Sequence, residues 1–131
     1  MSWGWEGERV RLVPLARERH LDNALRWLND EEVTRWTEIV DWPLTRAEEE
    51  EFFHHAERSA GDEVHFAVET LDGEHVGFSG LRRIDMRHGV ASSGSFIGRV
   101  DRWRQGLGRD AARVRSRYAF ETLNLRLLVA E

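Results

Sequence analysis

The chain has 131 residues, enough for one domain with a real core and too few for two. Hydrophobic residues make up 40% and charged ones 33%, which predicts a soluble globular protein and excludes a membrane span. With 19 basic residues, all arginine, and no cysteine, the chain excludes Schiff-base lysines, thiolate metal sites, cysteine nucleophiles and disulfides, and a cytoplasmic location is expected.

Residues 9–13, Arg-Val-Arg-Leu-Val, alternate as a strand that Pro14 ends. Between Arg17 and Asn29, Leu21, Ala24, Leu25 and Leu28 recur at helical spacing and mark a core-facing stripe, and residues 31–36 add a further turn. Thr45 and Glu48 form a capping-box pattern behind Pro43, opening a helix expected to bury Phe52, Phe53 and Ala56. Val64, Phe66 and Val68 alternate with His65, Ala67 and Glu69, which predicts a strand, and Asp72-Gly73 turns it into a second strand reaching about Ile84. Arg87-His88-Gly89 leads into a strand over 91–98. Leu107, Ala111, Val114 and Tyr118 stripe a third helix, and residues 125–129 read as a last strand. The order β-α-α-β-β-β-α-β predicts an α+β (α/β) sheet with helices packed over it, a single domain over 1–131.

The most informative stretch is Trp103-Arg104-Gln105-Gly106-Leu107-Gly108-Arg109. Two glycines stand at the mouth of a helix, directly after the strand carrying Phe96-Ile97-Gly98. Without Cβ atoms, the backbone there is open to close approach by a ligand. The unpaired amides of a helix's first turn add partial positive charge, so a phosphate is the natural occupant. Neither a Rossmann Gly-x-Gly-x-x-Gly nor a Walker Gly-Lys-Ser/Thr ending is present. Residues 99–117 hold seven arginines against two aspartates, a net +5 in a chain of net charge -5. Overall acidity excludes general nucleic-acid binding, and the local basic zone suits a multiply phosphorylated ligand.

With these residues the chain resembles the GNAT N-acetyltransferase superfamily, in particular its branch of ribosomal-protein and small-amine acetyltransferases. The resemblance runs from Gly7-Glu8-Arg9-Val10-Arg11-Leu12 through Glu32 to Trp36 and Gly73 to Phe78. Phe96-Ile97-Gly98 and Trp103 to Gly108 carry it most specifically. It implies a mixed, mostly antiparallel sheet with helices on both faces. It further implies acetyl-coenzyme A as cofactor, held by Phe96, Ile97, Gly98, Trp103, Arg104, Gln105, Gly106, Leu107, Gly108 and Arg109. The implied activity is transfer of acetyl to a primary amine, on a peptide N-terminus or a small molecule, by direct attack on the thioester. A backbone N–H near Phe96 or Ile97 would stabilise the oxyanion. Trp103 stands where the family has glutamine or arginine. Ser92 stands where many relatives carry a glutamate base, and Trp36 and Glu38 fall where the family shapes its acceptor pocket. The family's further helix and two strands have no counterpart before Glu131, so a domain short at its C-terminal side, with an unpaired sheet edge and a homodimeric state, is expected.

Other signals read as ordinary surface or core. His54 and His55 are adjacent on a helix and point about 100° apart, so no metal site is expected. His65, His75 and His88 are single strand-side histidines, and the acidic run Glu48 to Glu51 complements a helix dipole or attracts a cationic amine. The only tyrosine, Tyr118, lies on the core stripe and is not a candidate acid. The alternative to an enzyme is a catalytically inert acyl-coenzyme-A-binding or assembly module of the same fold.

Overall fold

The computed structural model describes residues 4–35, 43–58 and 61–130. Six strands form one sheet in chain order: β1 (Trp5–Glu6), β2 (Val10–Pro14), β3 (Val64–Thr70), β4 (His75–Asp85), β5 (Val90–Ile97) and β6 (Leu127–Ala130). All neighbours are antiparallel except β5 and β6, which run parallel over residues 90–93. The helices are α1 (Arg17–Trp27), α2 (Glu31–Thr34), α3 (Arg46–Ala56) and α4 (Leu107–Arg117), the last continuing as a wider π-type turn over Tyr118–Thr122.

Local chemistry accounts for the element ends. Thr45 caps α3, its hydroxyl accepting from the Glu48 N–H at 3.2 Å while the Glu48 carboxylate accepts the Thr45 N–H at 3.2 Å. The β3–β4 turn needs Gly73 because φ is +94° there. Helix α1 stops at Trp27, short of the expected Asn29, because Asn29 spends its side chain on the Leu44 backbone: Oδ1 accepts the Leu44 N–H at 2.8 Å and Nδ2 donates to its carbonyl at 2.9 Å. The last strand starts at Leu127, since Leu125 is buried in the core with its N–H donated to the Ala119 carbonyl. Strand β1 has only two residues, too short for any hydrophobic period to register.

The sheet is covered on both faces. Leu107, Ala111 and Val114 of α4 pack on Val10, Leu12, Phe66, Val68 and Val76, each of them a burial worth roughly 1.5–3 kcal/mol for the larger side chains. On the opposite face Leu21 and Ala24 of α1 and Phe53 of α3 pack with Leu15 and Phe78. Phe52, expected in this core, is 44% exposed, and the inward position on α3 is taken by Glu49, only 3% exposed. Residues 49, 53 and 56 share one helical face at i, i+4 and i+7, whereas Phe52 lies on its flank.

A polar cluster lies between α1 and the sheet. The His20 Nδ1 accepts the Ala16 N–H at 3.0 Å, so its Nε2–H donates to Glu69 Oε2, also at 3.0 Å. Glu69, fully buried, is further paired with Arg11 at 3.3 Å and Arg19 at 2.7 Å. Next to it His75 donates from Nε2 to the Gly77 carbonyl and accepts from Asn23 at Nδ1. Burial is the main cause holding both imidazoles neutral, lowering His20 and bringing His75 down to about 3.

Candidate functional site

The Asp110 carboxylate in the first turns of α4 is buried and accepts three consecutive N–H groups of the chain entering β2, from Glu8 at 3.3 Å, Arg9 at 2.8 Å and Val10 at 2.9 Å. Burial alone would push its pKa up, but the N–H groups of Arg9, Val10 and Glu8 outweigh that and hold the carboxyl below the usual range. Gly7 permits the approach, because a Cβ there would lie 2.5 Å from Asp110 Oδ2. This tether carries Arg9 to the mouth of α4, where its side chain lies nearest to Gly106.

Gly106 is the N-cap of α4 at φ +78°, a left-handed conformation that favours glycine. Arg104, two residues before, is also left-handed at φ +67°, so the loop is held in a strained shape. The amides of Leu107, Gly108 and Arg109 have no acceptor among the described residues. The guanidiniums of Arg9, Arg104 and Arg109 surround these amides, and none pairs with a carboxylate among the described residues. A concavity of about 850 Å³ is lined here by Glu8, Arg9, Arg104, Gln105, Gly106, Arg109, Asp110 and Arg113, with Arg113 drawn to Glu8 and Asp110. Gly108 differs from Gly106: its φ is ordinary, and a Cβ there would meet only Ile97 Cγ1 at 3.7 Å. Among the described residues nothing requires glycine at 108, so the space beside it is open to a ligand.

The loop opens toward a free strand edge. Strand β6 pairs with β5 only over residues 90–93, and residues 94–97 carry no partner on that side among the described residues. Gly98 donates its N–H to the Val76 carbonyl, and Gly89 accepts from β6 at its own carbonyl. Alternation along β5 therefore turns the N–H of Phe96 toward β4 and those of Ser95 and Ile97 toward the open edge. Of the two residues expected to offer an oxyanion donor, Ile97 has the free orientation. Trp103 braces this end, its indole N–H donating to the Ile97 carbonyl at 2.7 Å.

Beneath β4 and β5 the guanidinium of Arg115 is buried, 8% exposed, and donates to the Ser79 hydroxyl at 3.2 Å and the Ser95 hydroxyl at 3.1 Å. On the face covered by α1 and α3 lies a cleft of about 860 Å³. Its walls include Phe52, Phe53, Phe78 and Phe96, with Glu49 among them. Glu49 has an oxygen with no hydrogen-bond partner, and burial pushes its carboxyl up to about 6.

The expected residues thus separate. Arg104, Gln105, Gly106, Gly108 and Arg109 gather at the mouth of α4, while the Leu107 side chain is core and offers only its amide. Gly98 lies under Trp27, where a Cβ would come within 2.1 Å of the indole, so its glycine serves packing. Phe96 lines the cleft on the α1–α3 face. Ser92 is half-buried on the same strand and pairs across to Arg82, and among the described residues no side-chain bond activates it. Trp36 and Glu38 lie outside the described residues. Tyr118 packs edge-on against Trp5 and Phe66, and burial raises its phenol. Sequence reading missed Arg9, brought to the loop by a contact a hundred residues away; it named Glu49 only within the acidic run Glu48 to Glu51, although its spacing to Phe53 and Ala56 marks it as inward-facing.

A mixed sheet whose one parallel pair stops short, with a glycine-opened helix at the free edge, defines the acetyltransferase class of fold. The chain belongs to the acetyltransferase (GNAT) domain family, whose model matches residues 9–131. Among solved structures it is similar to a GCN5-related N-acetyltransferase from Brucella melitensis, at 31% identity and a TM-score of 0.74, covering 93% of this chain and 56% of that one. A proposed ribosomal-protein-serine acetyltransferase from Vibrio cholerae aligns at 22% identity and TM-score 0.76, over 99% of this chain and 75% of that one. A spermidine N-acetyltransferase from Vibrio cholerae, in complex with CoA and spermine, aligns at 21% and 0.78, over 91% and 69%. The chain therefore spans little more than half the length of the first of these relatives. A search of curated proteins returns no match. Among the described residues no helix is long and apolar enough to cross a membrane.

Proposed function

We propose that this chain binds acetyl-coenzyme A at the mouth of α4 and transfers its acetyl group to a primary amine entering from the α1–α3 face. The observation that carries the reading is the set of unpaired donors: three first-turn amides beside three unpaired guanidiniums, next to a strand edge with free N–H groups. That donor chemistry fits a pyrophosphate with further phosphate charge, and the room beside Gly108 fits its close approach. When bound, the cofactor supplies an acetyl group activated as a thioester.

The chain's own residues then divide the work. The Leu107, Gly108 and Arg109 amides hold the diphosphate, and Arg9, Arg104 and Arg109 neutralise it. The open edge of β5 pairs with an extended amide-bearing arm, and the Ile97 N–H points where an oxyanion donor is required. The cleft of Phe53, Phe78 and Phe96 holds the acceptor on the opposite face and excludes water from it.

The family resemblance and the likeness to amine and ribosomal-protein acetyltransferases support an amine acceptor. Thiol release from acetyl-coenzyme A with a panel of primary amines tests the reading. Amine-dependent release supports it, whereas cofactor binding without turnover supports an inert acyl-coenzyme-A-binding module. We further propose self-association through β6, where Leu127 is 54% and Val129 48% exposed; light scattering showing a dimer mass supports this and a monomer mass contradicts it.

A further inference from the structure

Glu49 has no structural task that the fold reveals. Helical spacing places it inward with Phe53 and Ala56, it is 3% exposed, and one carboxylate oxygen has no partner. No salt bridge reaches it among the described residues. A buried carboxylate without a cation is costly to stability, and such a group persists where a ligand completes it. It lines the acceptor-side cleft, whose other wall is the β5 stretch Gly94, Ser95 and Phe96.

We propose that Glu49 is the carboxylate that binds the ammonium group of the acceptor and accepts its proton, and that the acceptor is a monoamine on an apolar or aromatic stem. The proposal rests on the acetyl-transfer reading above and deepens it. Among the described residues the cleft offers a cation the rings of Phe52, Phe53, Phe78 and Phe96 together with one uncommitted carboxylate. The other acid lining it, Glu63 before β3, is held by His65 Nε2 at 2.8 Å. Among the described residues, β4 brings Arg82 to the cleft, and α1 and the residue that ends it bring Ala24 and Leu28. Among the described residues, one carboxylate facing apolar walls suits one positive charge and disfavours a polyamine.

In the proton step one N–H bond of the ammonium breaks and an O–H bond forms at Glu49. The nitrogen keeps the bonding pair and becomes a neutral amine able to act as a nucleophile. Desolvation assists on both sides, because it raises a carboxyl and lowers an ammonium. The base that many relatives carry on β5, where this chain has Ser92, is thereby supplied from the opposite wall of the cleft.

The test compares wild type with Glu49→Gln, which keeps volume and removes charge. Calorimetric titration with 2-phenylethylamine, without cofactor, should show binding to wild type that weakens about tenfold or more in E49Q. Acetyl-coenzyme A affinity should be unchanged between the two. In turnover, E49Q should lower kcat/KM for 2-phenylethylamine by about a hundredfold or more and remove the acidic limb that wild type shows near pH 6. The E49Q protein should melt no lower than wild type, which a merely structural carboxylate would not allow. Equal amine affinity in the two proteins, or a preference for spermidine over 2-phenylethylamine, overturns the proposal. Absence of acetyl-coenzyme A binding overturns the acetyl-transfer reading instead, and the cofactor-free titration still decides the role of Glu49.

Discussion

Asp110 and Arg9 are joined by a 2.8 Å hydrogen bond from the Arg9 N–H to Asp110 Oδ2, which fixes the start of β2 to the start of α4. That bond is backbone to side chain, so it leaves the Arg9 guanidinium free and delivers it beside the glycine loop. The same carboxylate therefore serves fold and candidate site: it closes the α4 layer over the sheet and sets one wall of the concavity proposed to hold phosphate.

Removing the tether should cost stability. Asp110→Ala leaves the Glu8, Arg9 and Val10 amides without acceptors and should lower the unfolding free energy by roughly 3 kcal/mol, with Asp110→Asn intermediate. The folded carboxyl titrates below its unfolded value, so this contribution is complete above about pH 4 and fades as pH falls further. Urea unfolding at pH 7 measures it; an unchanged midpoint in D110A would refute the structural role.

The two glycines of the loop should separate fold from ligand. Gly106→Ala forces a Cβ into left-handed backbone and should destabilise the domain by about 1–2 kcal/mol. Gly108→Val meets no backbone in the protein and should leave the melting temperature close to wild type, while filling the space proposed for the pyrophosphate. Thermal melts with and without coenzyme A decide this. A G108V protein that is folded and binds normally would remove the loop from the cofactor site.

Alanine at Arg9, Arg104 or Arg109 should weaken coenzyme A by about tenfold or more for whichever makes a charge-assisted phosphate contact, equivalent to roughly 1.5–3 kcal/mol. Comparison with dephospho-coenzyme A identifies which phosphate is touched: a loss confined to the intact cofactor assigns the 3′-phosphate, and equal losses assign the pyrophosphate. Full affinity in all three variants would return these arginines to the solvated surface.

Mild acid should destabilise the protein through its neutral histidines. The folded pKa of His75 is lowered to about 3 from 6.5, and His20 is lowered as well, so the unfolded chain binds more protons below about pH 6.5. Stability is complete above that value and is lost as pH falls toward 3. Urea midpoints between pH 7 and 5 should decline in wild type and decline less in His75→Gln. Parallel profiles for the two would contradict the assignment.

The sequence made most elements legible because their signals are local. The Thr45–Glu48 box, the Asp72-Gly73 turn and the stripe of Leu107, Ala111 and Val114 each depend on a few neighbouring residues and formed as expected. The loop glycines were legible too, although their separate duties were not, since Gly106 answers to φ and Gly108 to empty space. What escaped was set by distance in the chain. Arg9 reaches the loop only because Asp110 holds its backbone, and Gly98 is glycine because Trp27 lies across it. Phe52 and Glu49 exchange the expected places because helical register, rather than hydrophobicity alone, decides which side chain of α3 faces inward, and a carboxylate inside an apolar face is an exception that local pattern does not anticipate.

Amides and arginines at the mouth of α4, unpaired among the described residues, are proposed to hold acetyl-coenzyme A. Isothermal titration of the folded chain with acetyl-coenzyme A, repeated on G108V, tests this most directly. The account predicts saturable one-to-one binding by wild type and a loss of about tenfold or more in a G108V protein of unchanged fold. No binding by wild type, or equal binding by both proteins, would contradict it.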